Sequence, residues 1–153
     1  MSGPPFVKTF EIRWADIDQN RHLRHSAYAD YGAHVRVSFL AEHGFSMSRL
    51  AEIGIGPVLF REELLYFKEI HAEETVSMDF RVGGIADDGS RWRLVHELSR
   101  ADGETAARIT VEGAWLDLAR RRLMAPPDEL GMLFARLPHT DGFETLKALG
   151  RRG

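Results

Sequence analysis

Trp14-Ala15-Asp16-Ile17-Asp18-Gln19-Asn20-Arg21-His22-Leu23-Arg24-His25-Ser26-Ala27-Tyr28 is the stretch on which the reading of this chain turns. Upstream of it, residues 6–14 are rich in aromatic and β-branched side chains and predict a strand. Downstream, Tyr28, Tyr31, Val35 and Phe39 recur at helical spacing, with Ala27 and Leu40 beside them. That pattern predicts the longest helix of the chain, over 26–43. Ser26 is the expected N-cap and Gly44 the expected stop. The stretch is therefore a polar connection between a strand and a helix, and it ends where the helix leaves its first N–H groups unpaired.

Beyond the helix, a short second helix is expected over 46–53, closed by Gly54 and Gly56. After Pro57 the hydrophobic period changes to alternation. Val58, Phe60, Leu64 and Tyr66 are expected on one face of a strand. Val76, Met78, Phe80 and Val82 form a second alternating set, Trp92, Leu94, His96 and Leu98 a third, and Ala107, Ile109, Val111, Gly113 and Trp115 a fourth. Asp87-Asp88-Gly89-Ser90 and Ala101-Asp102-Gly103 are turn signals between them. Pro126-Pro127 ends the sheet, and a short helix is expected from Asp128 to Leu137. The order predicts an α+β fold: an antiparallel sheet of about five strands with one long helix against it. Residues 1–137 are read as one domain and 138–153 as a weakly patterned tail, expected to be partly disordered. A sheet with open edges and a single covering helix also predicts a homo-oligomer.

The totals narrow the function. In 153 residues, 44% are hydrophobic and 28% charged, as in an ordinary globular domain. A net charge of −3 gives no broad attraction to a phosphate backbone, so nucleic acid is not an expected partner. The absence of cysteine excludes disulfides, thiolate metal sites and a cysteine nucleophile. Residues 1–6 carry no basic region leading into an apolar run, and no stretch approaches the ~20 apolar residues of a membrane span. A cytoplasmic protein without a membrane partner is the expectation.

The chemistry is concentrated in the opening stretch. Asp16, Asp18, Asn20, His22 and His25 gather carboxylates, an amide and imidazoles in one connection, and such groups serve as base or nucleophile. The adjoining helix start offers N–H groups for a developing oxyanion. Asp and Asn are also common in turns and at helix starts, so composition leaves a plain loop open beside the catalytic reading. A cation held by Asp18, His22 and His25 is the weaker alternative, because no second ligand cluster is evident, and no metal is expected. His96, Trp92 and Trp115 read as packing residues. Phe39, Phe60 and Met78 fit either an acyl tunnel or ordinary core.

The same stretch resembles the signature of the 4-hydroxybenzoyl-CoA thioesterase-like branch of the hotdog superfamily. There an aromatic strand end leads to Asp-x-Asp, a turn, a His or Asn, and a Tyr in the first helical turn. The resemblance puts Asp18 at the catalytic carboxylate, His25 at the His/Asn position and Tyr28 at the helix tyrosine. Asp18-Gln19-Asn20-Arg21-His22 also resembles the Asp-x-Asn-x-His of plant-type acyl-ACP thioesterases, which adds Asn20 and His22. The likeness follows strand order from Phe6 to about Leu130, while its specific motif lies within 14–28.

It implies a hotdog fold and hydrolysis of an acyl-CoA or acyl-ACP thioester without a cofactor. Asp18 would attack the thioester or activate water, and N–H groups near His25 and Ser26 would hold the oxyanion. Arg91 and Arg93 loosely match the basic residues that meet CoA phosphates in relatives, although a solvated strand face explains either one. Paired subunits building each site at their interface imply a homodimer, or a homotetramer as a dimer of dimers. Many relatives carry an acid about two turns into the helix, where this chain has Ala33; Asp30 or Glu63 would have to replace it. A non-catalytic acyl-thioester-binding module and a hotdog acyl hydratase or dehydratase remain as alternatives.

Overall fold

The computed structural model describes residues 4–149; the expectations for residues 1–3 and 150–153 lie outside the described residues. The elements are β1 (Val7–Glu11), α1 (Tyr28–Glu42), α2 (Met47–Ile53), β2 (Ile55–Tyr66), β3 (Thr75–Asp79), β4 (Arg81–Ala86), β5 (Arg91–Ser99), β6 (Thr105–Asp117), β7 (Arg122–Met124), α3 (Asp128–Ala135) and β8 (His139–Leu146). Among the described residues one sheet holds all eight strands. That is more than the five expected, but β3 and β4 are one strand with a kink. Both pair antiparallel with β5 in a common register, Ser77 opposite Ser99 and Arg81 opposite Val95. The main path is then β1, β3–β4, β5, β6 and β2, with β7 beside β6 and β8 beside β4.

The helix α1 packs its buried stripe of Tyr28, Tyr31, Val35, Phe39 and Leu40 on the sheet. Phe39 meets Phe80 edge-on at 5.0 Å, and Tyr31 stacks on Phe10 of β1 at 4.9 Å. This is the hotdog arrangement of a sheet wrapped around a central helix. Trp92 and Trp115 are buried, and Trp115 stacks on Phe134 of α3. Fully burying each such side chain contributes about 1.5–3 kcal/mol. Phe39 and Met78 belong to this core, whereas Phe60 is 57% exposed.

Three local expectations need correction. Ser26 does not cap α1. A 3-10 turn over His25–Ala27 precedes the helix, and the Ser26 hydroxyl instead accepts a 2.6 Å bond from Arg24. Val58 does not share a face with Leu64 and Tyr66, because β2 bulges between Leu59 and Arg61: Val58 stands opposite Ala114 and Leu64 opposite Ile109, which point to different sides of β6, and Phe60 at the bulge is exposed. Residues 139–146, read as tail, form β8, paired parallel with β4. Ser46 does cap α2, accepting from the Arg49 N–H at 3.1 Å, and Gly54 ends it at φ 76°. Among the described residues no helix is long and apolar enough to cross a membrane.

Candidate active site

The connection from β1 to α1 is pinned by a carboxylate, and that carboxylate is Asp16. Its side chain is 1% exposed. It takes two hydrogen bonds from Arg13, at 2.9 and 3.0 Å, one from Arg24 at 3.2 Å and one from the Tyr31 hydroxyl at 3.0 Å. The Arg13 hydrogen bond, helped by Tyr31 and by the charges of Arg13 and Arg24, holds the Asp16 carboxyl below its ordinary range against the opposing effect of burial. Burial, followed by Asp16, pushes the Tyr31 hydroxyl up to about 12. Asp16 therefore ties loop to helix, with its lone pairs occupied from all sides.

Asp18 is placed differently. It is half-buried, and Oδ1 accepts the backbone N–H groups of Asn20 at 2.8 Å and His22 at 3.2 Å. The Asp18 N–H bonds the His22 carbonyl at 2.9 Å, so the loop closes on itself around this residue. Arg21, at φ 65°, makes the tight reversal. Oδ2 of Asp18 has no partner among the described residues.

Asp18 lines an open cleft of about 290 Å³ together with His22, His25, Tyr28, Tyr66, Lys68 and Glu69. It also borders a second groove of about 610 Å³, walled by Trp14, Ile17 and Arg21. Tyr28 is 4% exposed and meets Tyr66 edge-on at 5.0 Å. Burial first, then Tyr66 and the charges of Asp18 and Glu69, raise its hydroxyl to about 12, so it stays protonated at neutral pH and can donate a hydrogen bond. The Tyr66 hydroxyl donates to the His25 carbonyl at 3.1 Å and fixes the turn that enters α1. In that turn the first internal bond runs from Ala27 N–H to the Arg24 carbonyl at 3.0 Å, which leaves the N–H groups of His25 and Ser26 ahead of it.

The structure thus gathers Asp18, His22, His25 and Tyr28 on one cleft. Asn20 contributes its backbone N–H to Asp18 from an exposed position, and Ser26 is bonded to Arg24. Arg91 and Arg93 do not line the cleft: Arg91 donates to the Lys147 carbonyl at 3.4 Å, and Arg93 is paired with Glu112 at 2.8 Å and Glu144 at 2.9 Å. The basic residue at the cleft is Lys68. Neither Asp30 nor Glu63 lines it, and Glu63 is paired with Arg61 at 3.2 Å. Glu69 does line it, with Oε2 3.2 Å from His22 Nε2. Sequence reading missed Tyr66 and Glu69 because they lie far along the chain; the end of β2 and the loop after it return them to the Asp18 loop.

A family model described as the thioesterase-like superfamily matches residues 12–134. The chain belongs to that superfamily. No curated protein matches this thioesterase-like chain. Among solved structures, a Staphylococcus aureus protein in complex with CoA superposes with a TM-score of 0.79 at 20% identity, over 90% of this chain and 89% of that one. A 1,4-dihydroxy-2-naphthoyl-CoA thioesterase from Synechocystis superposes with a TM-score of 0.77 at 15% identity, over 88% and 98%. A DHNA-CoA thioesterase from Staphylococcus aureus gives 0.72 at 21% identity, over 79% and 80%. At these identities the likeness is one of fold, and it is the hotdog fold that the motif of residues 14–28 implied.

Proposed function

We propose that this protein hydrolyses an acyl thioester of CoA or of an acyl carrier protein to free acid and thiol, with Asp18 as nucleophile or general base. The observation that carries the reading is the state of Asp18. Two backbone N–H groups hold Oδ1, Oδ2 is unpartnered among the described residues, and the side chain borders the same cleft as the start of α1. A carboxylate oriented in this way needs little reorganisation before reaction. The N–H groups of His25 and Ser26 suit the oxygen that becomes negative when the thioester carbonyl is attacked.

Two routes use the same carboxylate. In direct attack an Asp18 oxygen bonds to the acyl carbon, the C–S bond breaks and the thiolate departs, and water then opens the mixed anhydride. In the water route Asp18 takes a proton from water as its oxygen adds to the acyl carbon, and the C–S bond then breaks to release the thiolate and the free acid. A thiolate leaves readily, so a proton from His22 or His25 assists without being essential. Glu69 takes the place of the acid that Ala33 cannot provide, by orienting His22. Two of the similar proteins named above are thioesterases of 1,4-dihydroxy-2-naphthoyl-CoA and of DHNA-CoA, which supports CoA as the carrier, and a cytoplasmic homodimer or homotetramer is part of this reading.

Purified protein is expected to release free thiol from acyl-CoA esters, read with a thiol-reactive dye. Asp18→Asn and Asp18→Ala are expected to lower that rate by at least about 10²-fold while keeping the wild-type circular dichroism spectrum. Wild-type turnover in both variants overturns the mechanism. Acyl-CoA binding with no thiol release from the wild type points to an acyl-binding module instead.

A further inference from the structure

We infer that His22, Glu69 and His71 form a binding site for a divalent cation of the zinc class at the rim of the cleft. Their ligand atoms all lie within 4.8 Å of one another. The His22 Nε2 to Glu69 Oε2 separation is 3.2 Å. Two ligands of a tetrahedral zinc ion, with metal bonds of about 2.0–2.1 Å, stand about 3.3 Å apart, so this pair is already at the right spacing. The two imidazole rings are 5.1 Å apart at 64°.

The backbone beneath the three residues is laced together. His22 and His71 face each other in an antiparallel bridge. On either side of it, Leu23 N–H bonds the Ile70 carbonyl at 2.7 Å and Ala72 N–H bonds the Arg21 carbonyl at 3.1 Å. The His71 N–H is anchored on the Glu74 carboxylate at 2.7 Å. The residues come from two loops that sequence separates widely, and these bonds fix their Cα positions before any ligand arrives. Only side-chain torsions remain to be ordered, which keeps the entropic cost of binding low.

The donor chemistry selects the ion. Two imidazoles and one carboxylate suit zinc and its neighbours, whereas magnesium and calcium favour sets made of oxygen. Glu69 and His71 are exposed, so an ion reaches the site from solvent. Three protein ligands leave a fourth position for water. Asp18 on the same cleft adds negative charge that favours a cation. Thioester hydrolysis as proposed above uses no metal, and although His22 and Glu69 are shared with that reading, what is measured here is bound metal rather than turnover.

The test is direct binding by the full chain, stripped with EDTA and titrated by calorimetry with Zn²⁺ and, separately, with Mg²⁺. One Zn²⁺ per chain and no measurable Mg²⁺ are expected. His71→Asn and Glu69→Gln should each weaken Zn²⁺ by at least tenfold with unchanged circular dichroism, and His34→Asn, an exposed histidine on α1, should leave it unchanged. Absence of Zn²⁺ binding, or equal affinity in both site variants, overturns the proposal and leaves a simple His22–Glu69 pair. The readout is bound metal, so its failure is distinct from failure of the thioesterase reading.

Discussion

Asp16 and Asp18 stand two positions apart and meet opposite surroundings. Asp16 is enclosed by Arg13, Arg24 and Tyr31, while Asp18 lines the cleft and has one oxygen without a partner among the described residues. Pattern alone does not separate them, because both belong to one Asp-x-Asp. The motif resemblance points to Asp18, and the surroundings of Asp16 support that proposal: an enclosed, fully bonded carboxylate has no lone pair to offer a substrate. His96 shows a third situation. It is fully buried, its Nδ1 donates to the Asp79 carbonyl at 2.8 Å, and its Nε2 accepts from Arg36 at 3.1 Å. Burial first, then the Arg36 charge, pull it down to about 3. The unfolded chain binds a proton here below about pH 6.5, and the folded chain does not until near pH 3. The stability contributed by neutral His96 is therefore complete above pH 6.5 and declines as pH falls below it, by at most about 1.4 kcal/mol per pH unit. His96→Gln keeps a donor and an acceptor and is expected to flatten that limb in urea denaturation between about pH 7.5 and 5. An unchanged slope in the variant would assign the limb to another group.

At the scale of elements, the alternating sets of β3 to β6 were legible because each buries one face, and period two is a strong signal for that. The kink at Phe80 was not legible. It interrupts the ladder between β3 and β4, and the freed groups are recovered locally: the Asp79 carboxylate takes the Glu97 N–H at 2.7 Å and the Asp79 carbonyl takes His96. Side-chain substitutes of that kind leave no periodic trace. Gly113 lies inside β6 for a reason that is also spatial. A Cβ there would collide with the Val58 carbonyl of β2 and the Trp92 ring of β5. Gly113→Ala is expected to destabilise the fold by about 1–3 kcal/mol, measured by urea denaturation. A loss under ~0.5 kcal/mol would mean that β2 and Trp92 yield more readily than their packing implies.

At the scale of the whole molecule, β2 is the unmatched part. It is a 12-residue strand bonded to β6 and carries Leu59, Phe60, Leu65 and Tyr66 exposed to solvent. Long apolar edges of this kind are normally covered. The proposed homodimer covers this one, and Phe60→Glu is expected to shift the protein from about twice the chain mass to the chain mass in light-scattering chromatography. A dimer unaffected by the change would move the interface elsewhere.

What the sequence determined by itself follows from periodicity and from contiguous motif: the α+β class, the long helix and its buried face, the alternating strands, and the loop that carries Asp18. Those depend on neighbours in the chain. Only tertiary structure decided which aspartate is enclosed, that Glu69 and His71 rather than His25 stand around His22, that Arg91 and Arg93 are spent on other partners, and that residues 139–146 join the sheet. Each depends on where β2, its following loop and β8 return in space, and side chains brought together by such returns share no spacing that a sequence displays.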